Sequence, residues 1–394
     1  MRVAHLRTRN YWSLADAATR ATLSRAGHDG RMNRRRLAIL PAALTALLLS
    51  GCSGGSDASR GERDSTGDSK GTATPSTDIA TGLQAPWSMV RTTDGSTLIS
   101  QRDDGTVVEV EADGSKRDVG VIEGVVHEGE GGLLGLALDP ADPDRLYAYE
   151  TTATDNRIVR VALTGAAGSY GLSSQVTILD GLAKASNHDG GRIAFGPDGL
   201  LYATVGDAGD PTAAQDRDSL NGKILRMTPD GDVPAGNPFD DSLVWSMGHR
   251  NPQGIAWSDD GRMWASEFGQ NEFDELNLIE AGNNYGWPEV EGTGGGDDYT
   301  DPKVTWTTDE ASPSGLAAIG DHLYLAGLGG ERLWTIAPGD DFSVTSSLEG
   351  ELGRLRDVSE GSDGSLWILT SNTDGRGAPA DSDDRLVSVP LPGR

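Results

Sequence analysis

P-D-G-L-L-Y-A-T-V, residues 197 to 205, is an Asp-Gly turn that runs straight into an apolar strand, and the same phrase recurs along the chain. It returns as T-D-G-S-T-L-I-S (93–100), D-P-D-R-L-Y-A-Y (142–149), D-D-G-R-M-W-A-S (259–266), I-G-D-H-L-Y-L-A (319–326) and S-D-G-S-L-W-I-L-T (362–370). Asp and Gly supply the backbone conformations that a tight reversal needs, and the alternating apolar run behind them reads as a half-buried strand. Several copies lead into a second strand such as V-V-E-V, I-V-R-V-A-L or L-W-T-I, and most follow another such as G-L-A-L or G-I-A-W. No long amphipathic helical pattern intervenes. Six units spaced by about 45 to 60 residues predict an all-β, six-bladed β-propeller with four-stranded antiparallel blades. A sandwich would explain the alternation but not six copies of one phrase. In a propeller, loops from one end of every blade converge on the central channel, so residues distant in sequence can form one site.

The 394 residues do not all belong to that repeat. From Met32 the chain reads M-N-R-R-R-L-A-I-L-P-A-A-L-T-A-L-L-L-S-G-C, a basic region, a short apolar segment and the chain's one cysteine. This is the order of an export signal. Leu49-Ser50-Gly51-Cys52 fits a lipobox, which predicts cleavage before Cys52, lipidation of its thiol and attachment through a lipid anchor only. The segment from Leu37 to Leu49 is too short to span a bilayer as a helix. Residues 1–51 are thus read as an N-terminal extension and lipoprotein signal peptide, with Met32 the better start. Residues 52–77 form a flexible Gly/Ser/Thr/Asp tether, and 78–394 the propeller. Such a protein would sit on the extracytoplasmic face of the bacterial membrane. A single cysteine leaves no disulfide. The residues after 51 carry a net charge of about −34, which repels nucleic acid and anionic headgroups. A small neutral substrate is the partner easiest to reconcile with it.

Polar groups suited to chemistry gather in the connections rather than in the repeated strands. They are E-G-E-G-G-L-L-G (128–135), A-S-N-H-D-G-G-R (185–192) with V-G-D-A-G-D (205–210), L-N-G-K-I-L-R-M (220–227) and G-H-R-N-P-Q-G (248–254). E-F-G-Q-N-E-F-D-E-L-N (267–277) leading to G-N-N-Y-G-W-P (282–288), and G-R-L-R-D-V (353–358), complete the set. His188 has the near-neutral imidazole a general base needs. Strand alternation could turn Arg226 toward the channel, or the side chain could pair with a surface acid. His249 and Arg250 read equally well as a hydrogen-bonded structural corner. The acid-rich 267–277 stretch lacks the spacing of a calcium hand, yet offers hard oxygen ligands suited to calcium rather than zinc.

Taken in order, E-G-G-L-L-G, N-H-D-G-G-R-I-A-F-G-P-D-G-L-L-Y, G-K-I-L-R, G-H-R-N-P-Q-G, D-E-L-N and N-N-Y-G-W-P resemble the soluble pyrroloquinoline quinone (PQQ)-dependent glucose/sorbosone dehydrogenases, including bacterial aldose sugar dehydrogenases. The resemblance spans about residues 80 to 390. It implies a six-bladed propeller with PQQ and calcium at the channel mouth, oxidation of an aldose at its anomeric carbon to the lactone, and an external electron acceptor. It implies that His188 is the base and Arg226 the cation over the quinone. Glu130, Asn187, Arg354 and Arg356 would also contact PQQ, and the carbonyls of Gly269 and Gln270 would bind its calcium. Glu275 and Tyr285 would hold a second, structural calcium.

The chain also departs from the glucose-oxidising pattern. Glu130 stands where a glutamine contacts the quinone in some members, and Met227 follows Arg226 where an asparagine can occur. A cofactor-binding lysine has no match around 327–333, where Arg332 could supply the charge. Fold likeness alone leaves two other classes open: a propeller lipoprotein that binds glycan or protein without turnover, and a calcium-dependent lactone hydrolase.

Overall fold

The computed structural model describes residues 75–392. Among them, six antiparallel sheets of four strands each follow one another around a central channel, and the single helix is one short turn, Pro211–Gln215. The innermost strands are Pro86–Arg91, Leu133–Asp139, Ile193–Phe195, Pro252–Trp257, Pro313–Ile319 and Leu355–Glu360. Five blades are built from consecutive strands. The sixth is closed by the first strand of the chain, Thr77–Ala80, which pairs antiparallel with Leu386–Val389. That pairing joins the two ends of the described residues and removes the open edge a linear array would leave.

Each blade interface has its own apolar cluster, as expected when a sheet can bury its faces only against its neighbours. Tyr147, Tyr149 and Ile158 of the second blade meet Leu201, Ala203 and Leu225 of the third. Tyr202 and Ile224 of the third meet Ile255, Met263 and Ala265 of the fourth. The circle closes where Ala80, Leu83 and Leu369 meet Met89, Ile99 and Val108. Burying each large aliphatic side chain among these is worth about 1.5–3 kcal/mol, and ring closure adds a sixth such interface to the five an open row of blades would have.

The strand directions also fix where chemistry can sit. Every innermost strand begins at one end of the channel and leads into the Asp-Gly turn at the other end. Loops that cross between blades, and those joining second to third strands, therefore share the first end. His188, Arg250 and Arg354 lie in crossing loops, while Arg102, Asp207, Gly269 and Asp374 follow second strands. All belong to one mouth. The repeated turns that reveal the fold lie at the opposite mouth.

Candidate active site

His188 is half-buried, and its backbone is left-handed, with φ of 61°. Such a conformation costs a non-glycine residue of order 1 kcal/mol and persists only when the surroundings over-determine it. Here they do. The His188 N–H donates to Glu130 Oε2 at 3.1 Å, and its carbonyl accepts from Ala208 N. The imidazole Nδ1 lies 2.7 Å from Asp207 Oδ1. The same carboxylate accepts from Gly209 N at 2.7 Å and from Trp287 Nε1 at 2.9 Å. Burial alone would raise the Asp207 carboxyl, but the hydrogen bonds from His188, Gly209 and Trp287 outweigh it and hold the group below the usual carboxylate range. An ionised Asp207 can only accept, so Nδ1 carries a proton, and in the neutral imidazole it is Nε2 that keeps the lone pair. No protein group bonds Nε2 among the described residues. The base expected at His188 is thus geometrically equipped, and Asp207 is its orienting partner.

Glu130, the acceptor of the His188 N–H, also borders a cavity of about 160 Å³ lined by Trp87, Arg102, Arg354, Arg356 and Arg376 among others. The cavity's charge is the notable property: four arginines face one acid. Arg354 and Arg356 share Asp374, at 3.1 and 3.7 Å, and Arg376 pairs with Glu130 at 3.0 Å. Burial, the largest influence, pushes Arg356 down from its ordinary value, against the pull of Asp374, yet a guanidinium stays protonated. Its Nε has no partner among the described residues, nor does the buried Nε of Arg250. An unpaired buried donor among four arginines calls for an anionic ligand, because buried charge is costly until it is matched.

Arg250 stands beside this constellation, over the Trp287 ring at 5.4 Å, with Nη1 3.2 Å from the Phe268 carbonyl. Its own carbonyl accepts from Asp207 N at 2.8 Å. Arg226 does not join it. The Arg226 guanidinium pairs with Asp198 at 2.9 Å, bonds Asn237 and lies over Trp245 at 4.9 Å. Asp198 belongs to the Asp-Gly turn at the far end of the blade. Tyr202, the register partner of Arg226, precedes Asp207 by five residues, or roughly 16 Å of strand. The expectation for Arg226 is therefore corrected: Arg226 anchors the opposite end of the third blade, and Arg250 is the arginine whose backbone bonds Asp207. The departure noted at Met227 dissolves as well, since Asn251 follows Arg250. Arg332 is likewise elsewhere, bonded to Glu349 and the Gly330 carbonyl rather than lining the cavity.

Of the remaining expected residues, Glu130, Arg354 and Arg356 line the cavity, and Asn187 is half-buried next to His188. Gly269 and Gln270 lie in a turn wrapped around Glu291. Glu291 Oε1 accepts from Gln270 N, Asn271 N, Glu272 N and Phe273 N at 2.7–3.1 Å. Burial would raise Glu291, yet those four amides hold it low. With the amides committed to Glu291, the carbonyls of Gly269 and Gln270 accept no hydrogen bond from the described residues and remain available as hard ligands.

Glu275 and Tyr285 border a recess of about 10 Å³ with Glu267, room for one water-sized species. Burial and the neighbouring Glu267 push Glu275 up to about 8. A divalent cation would relieve that repulsion. Among the described residues no cluster of three or more His, Cys, Asp or Glu side chains surrounds a point, so any cation here must take backbone oxygen too. Cys52 lies outside the described residues. The larger hollow, about 530 Å³, is at the far mouth and mostly apolar. Trp87, which lines the charged cavity, has Arg192 4.4 Å and Arg356 5.7 Å from its ring.

The model of the glucose/sorbosone dehydrogenase family matches residues 83–378. The chain belongs to that family. It is similar to the PQQ-bound aldose sugar dehydrogenase of Streptomyces coelicolor, 49% identical over 81% of this chain and 99% of that one, with a TM-score of 0.76. The aldose sugar dehydrogenase YliI of Escherichia coli is 31% identical over 63% of this chain and 76% of its own length. The quinoprotein glucose dehydrogenase B of Acinetobacter calcoaceticus is 32% identical over 54% and 52%. Membership makes this glucose/sorbosone dehydrogenase a sugar-oxidising enzyme. The sequence points to the stretches holding Asp207 and Trp287 without singling out either residue, gives no sign of Arg102, and leaves Arg250 open between a site role and a structural corner. The usable signal was positional: Arg250 and Asp207 lie in loops at the His188 end, whereas Arg226 lies inside a strand.

Proposed function

We propose that the protein oxidises an aldose at its anomeric carbon to the lactone, using PQQ and calcium and passing the electrons to an external acceptor. The observation that carries this reading is the juxtaposition of an oriented histidine, His188–Asp207, with an arginine-lined recess in which the buried Arg356 Nε lacks a partner among the described residues. Arg102, Arg354, Arg356 and Arg376 fit the carboxylates of PQQ. When bound, PQQ supplies the two-electron acceptor that takes hydride from the anomeric carbon. His188 Nε2 takes the proton of the anomeric hydroxyl as the carbonyl forms, and Asp207 balances the charge that arrives on the ring. Arg250 places a fixed cation where negative charge develops, which is most effective when the donor is already oriented. The carbonyls of Gly269 and Gln270 would hold the cofactor's calcium, whose role is Lewis acid polarisation. Glu275 and the Tyr285 backbone oxygen would hold a second, structural calcium, with Glu267 alongside.

The acidic surface suits a small neutral sugar over an anionic one. Export and lipidation at Cys52 are part of the same proposal: the basic, apolar and Leu-Ser-Gly-Cys order at 32–52 supports them, and a surface-anchored enzyme needs no soluble nicotinamide pool. The test is dye reduction by protein from about residue 75 onward, stripped of cofactor and then mixed with calcium and PQQ, across an aldose panel. Turnover that requires PQQ is expected. A folded, calcium-loaded protein that binds no PQQ would overturn the reading.

A further inference from the structure

Segment 249–251 is a hub for the site, and a buried carboxylate from the next blade holds it. Glu267 ends the second strand of the fourth blade and is only 4% exposed. Its Oε1 accepts from both Arg250 N and Asn251 N, and its Oε2 lies 2.8 Å from His249 Nδ1. His249, fully buried, continues to Ser246 Oγ at 2.8 Å through Nε2 and stacks on Tyr285 with ring centroids 4.9 Å apart. Ser, His and Glu in this order have the look of a nucleophilic triad. The serine is sealed from solvent, however, so the relay can only serve to fix its own carboxylate.

What Glu267 fixes is the reacting geometry. The Arg250 carbonyl accepts from Asp207 N at 2.8 Å, and Asn251 Oδ1 accepts from Gly190 N at 3.0 Å. One residue thus sets the backbone from which the Arg250 guanidinium projects. Through two further bonds it also sets the partner of His188 and the loop that carries His188. A carboxylate accepting three donors at once is a strong and directional clamp, because ionised acceptors bind amide hydrogens more tightly than neutral ones.

We infer that Glu267 is a positioning residue for sugar oxidation, acting through Arg250 and Asn251 and touching neither the sugar nor PQQ. This rests on the proposed dehydrogenase reading for its kinetic arm alone. The structural arm measures amide hydrogen exchange in the unloaded protein. Glu267→Gln leaves an oxygen for the two amides but removes the charge, and should cut protection at least tenfold at residues 190, 207, 250 and 251 while sparing the other blades. In the kinetic arm, at saturating calcium and PQQ, Glu267→Gln should lower kcat at least tenfold with sugar KM within twofold of wild type. Combined with Arg250→Ala it should cost less than threefold more than Arg250→Ala alone, since coupled residues are non-additive. His249→Gln frees one of the three holds on Glu267, gives the same four-amide pattern more weakly, and carries the test if Glu267→Gln fails to fold. Unchanged protection at those amides, or single effects that multiply, would overturn the inference. A wild type without sugar oxidation would sink the dehydrogenase reading while the exchange pattern still decided the clamp.

Discussion

At the scale of single residues, the site turns on which nitrogen of His188 keeps its lone pair. Asp207 settles this by accepting from Nδ1. Asp207→Asn offers an amide that can turn either its oxygen or its nitrogen to the ring and removes the balancing charge, so kcat should fall by about 10²–10⁴ with sugar KM little changed, as steady-state kinetics would show. The two arginines should separate as cleanly. Arg250→Ala should lower kcat by about 10²–10³, the usual cost of removing a donor at developing charge. Arg226→Ala should leave kcat within about twofold and lower Tm by a few degrees, because it loses its pair with Asp198 and its place over Trp245. His188 was legible in the sequence because a histidine in a glycine-rich polar turn is uncommon. Arg226 misled because alternation reports which face of a strand a side chain takes, not which end of the blade it occupies. The Asp-Gly turn at 198–199 holds that information: an arginine paired with it cannot also reach the other mouth.

At the scale of the element, the turn at 269–273 shows how a short stretch becomes a candidate ligand set. Its composition announced hard oxygen ligands, but the residue that shapes it, Glu291, lies about twenty positions later and carries no local signal. By gathering four amides onto one oxygen, Glu291 leaves the carbonyls of Gly269 and Gln270 unspent. Glu291→Ala should weaken calcium binding at least tenfold in titration calorimetry of the calcium-stripped protein. It should shift Tm by only a few degrees, since the turn contributes little to the blade cores. Unchanged calcium affinity would show that the turn needs no such template.

At the scale of the whole molecule, the repeated turn and strand revealed six blades because every blade solves the same burial problem. The closing strand was not legible as such: T-D-I-A at 77–80 is four residues with no repeat of its own, and only circular closure gives it a partner in Leu386–Val389. Large polar groups buried for the architecture also left no trace. Glu150 is 1% exposed, and burial, only partly offset by Arg157, pushes it up to about 7. Between pH 4.5 and 7 the folded state therefore holds a proton that the unfolded chain has released, so this group's contribution to stability falls as pH rises through that window. Glu150→Gln should raise Tm relative to wild type at pH 8 and give no gain near pH 4, as calorimetry at the two pH values would reveal. The central claim joins all three scales: blades bring His188, Asp207 and Arg250 to one mouth, beside the cationic recess proposed to hold PQQ. The most direct measurement is anaerobic single turnover, following the absorbance of protein-bound PQQ after mixing with an aldose, in wild type and His188→Ala. The account predicts rapid reduction in wild type and a rate at least 10² lower in a variant that binds PQQ equally well. Equal rates in the two proteins would contradict it.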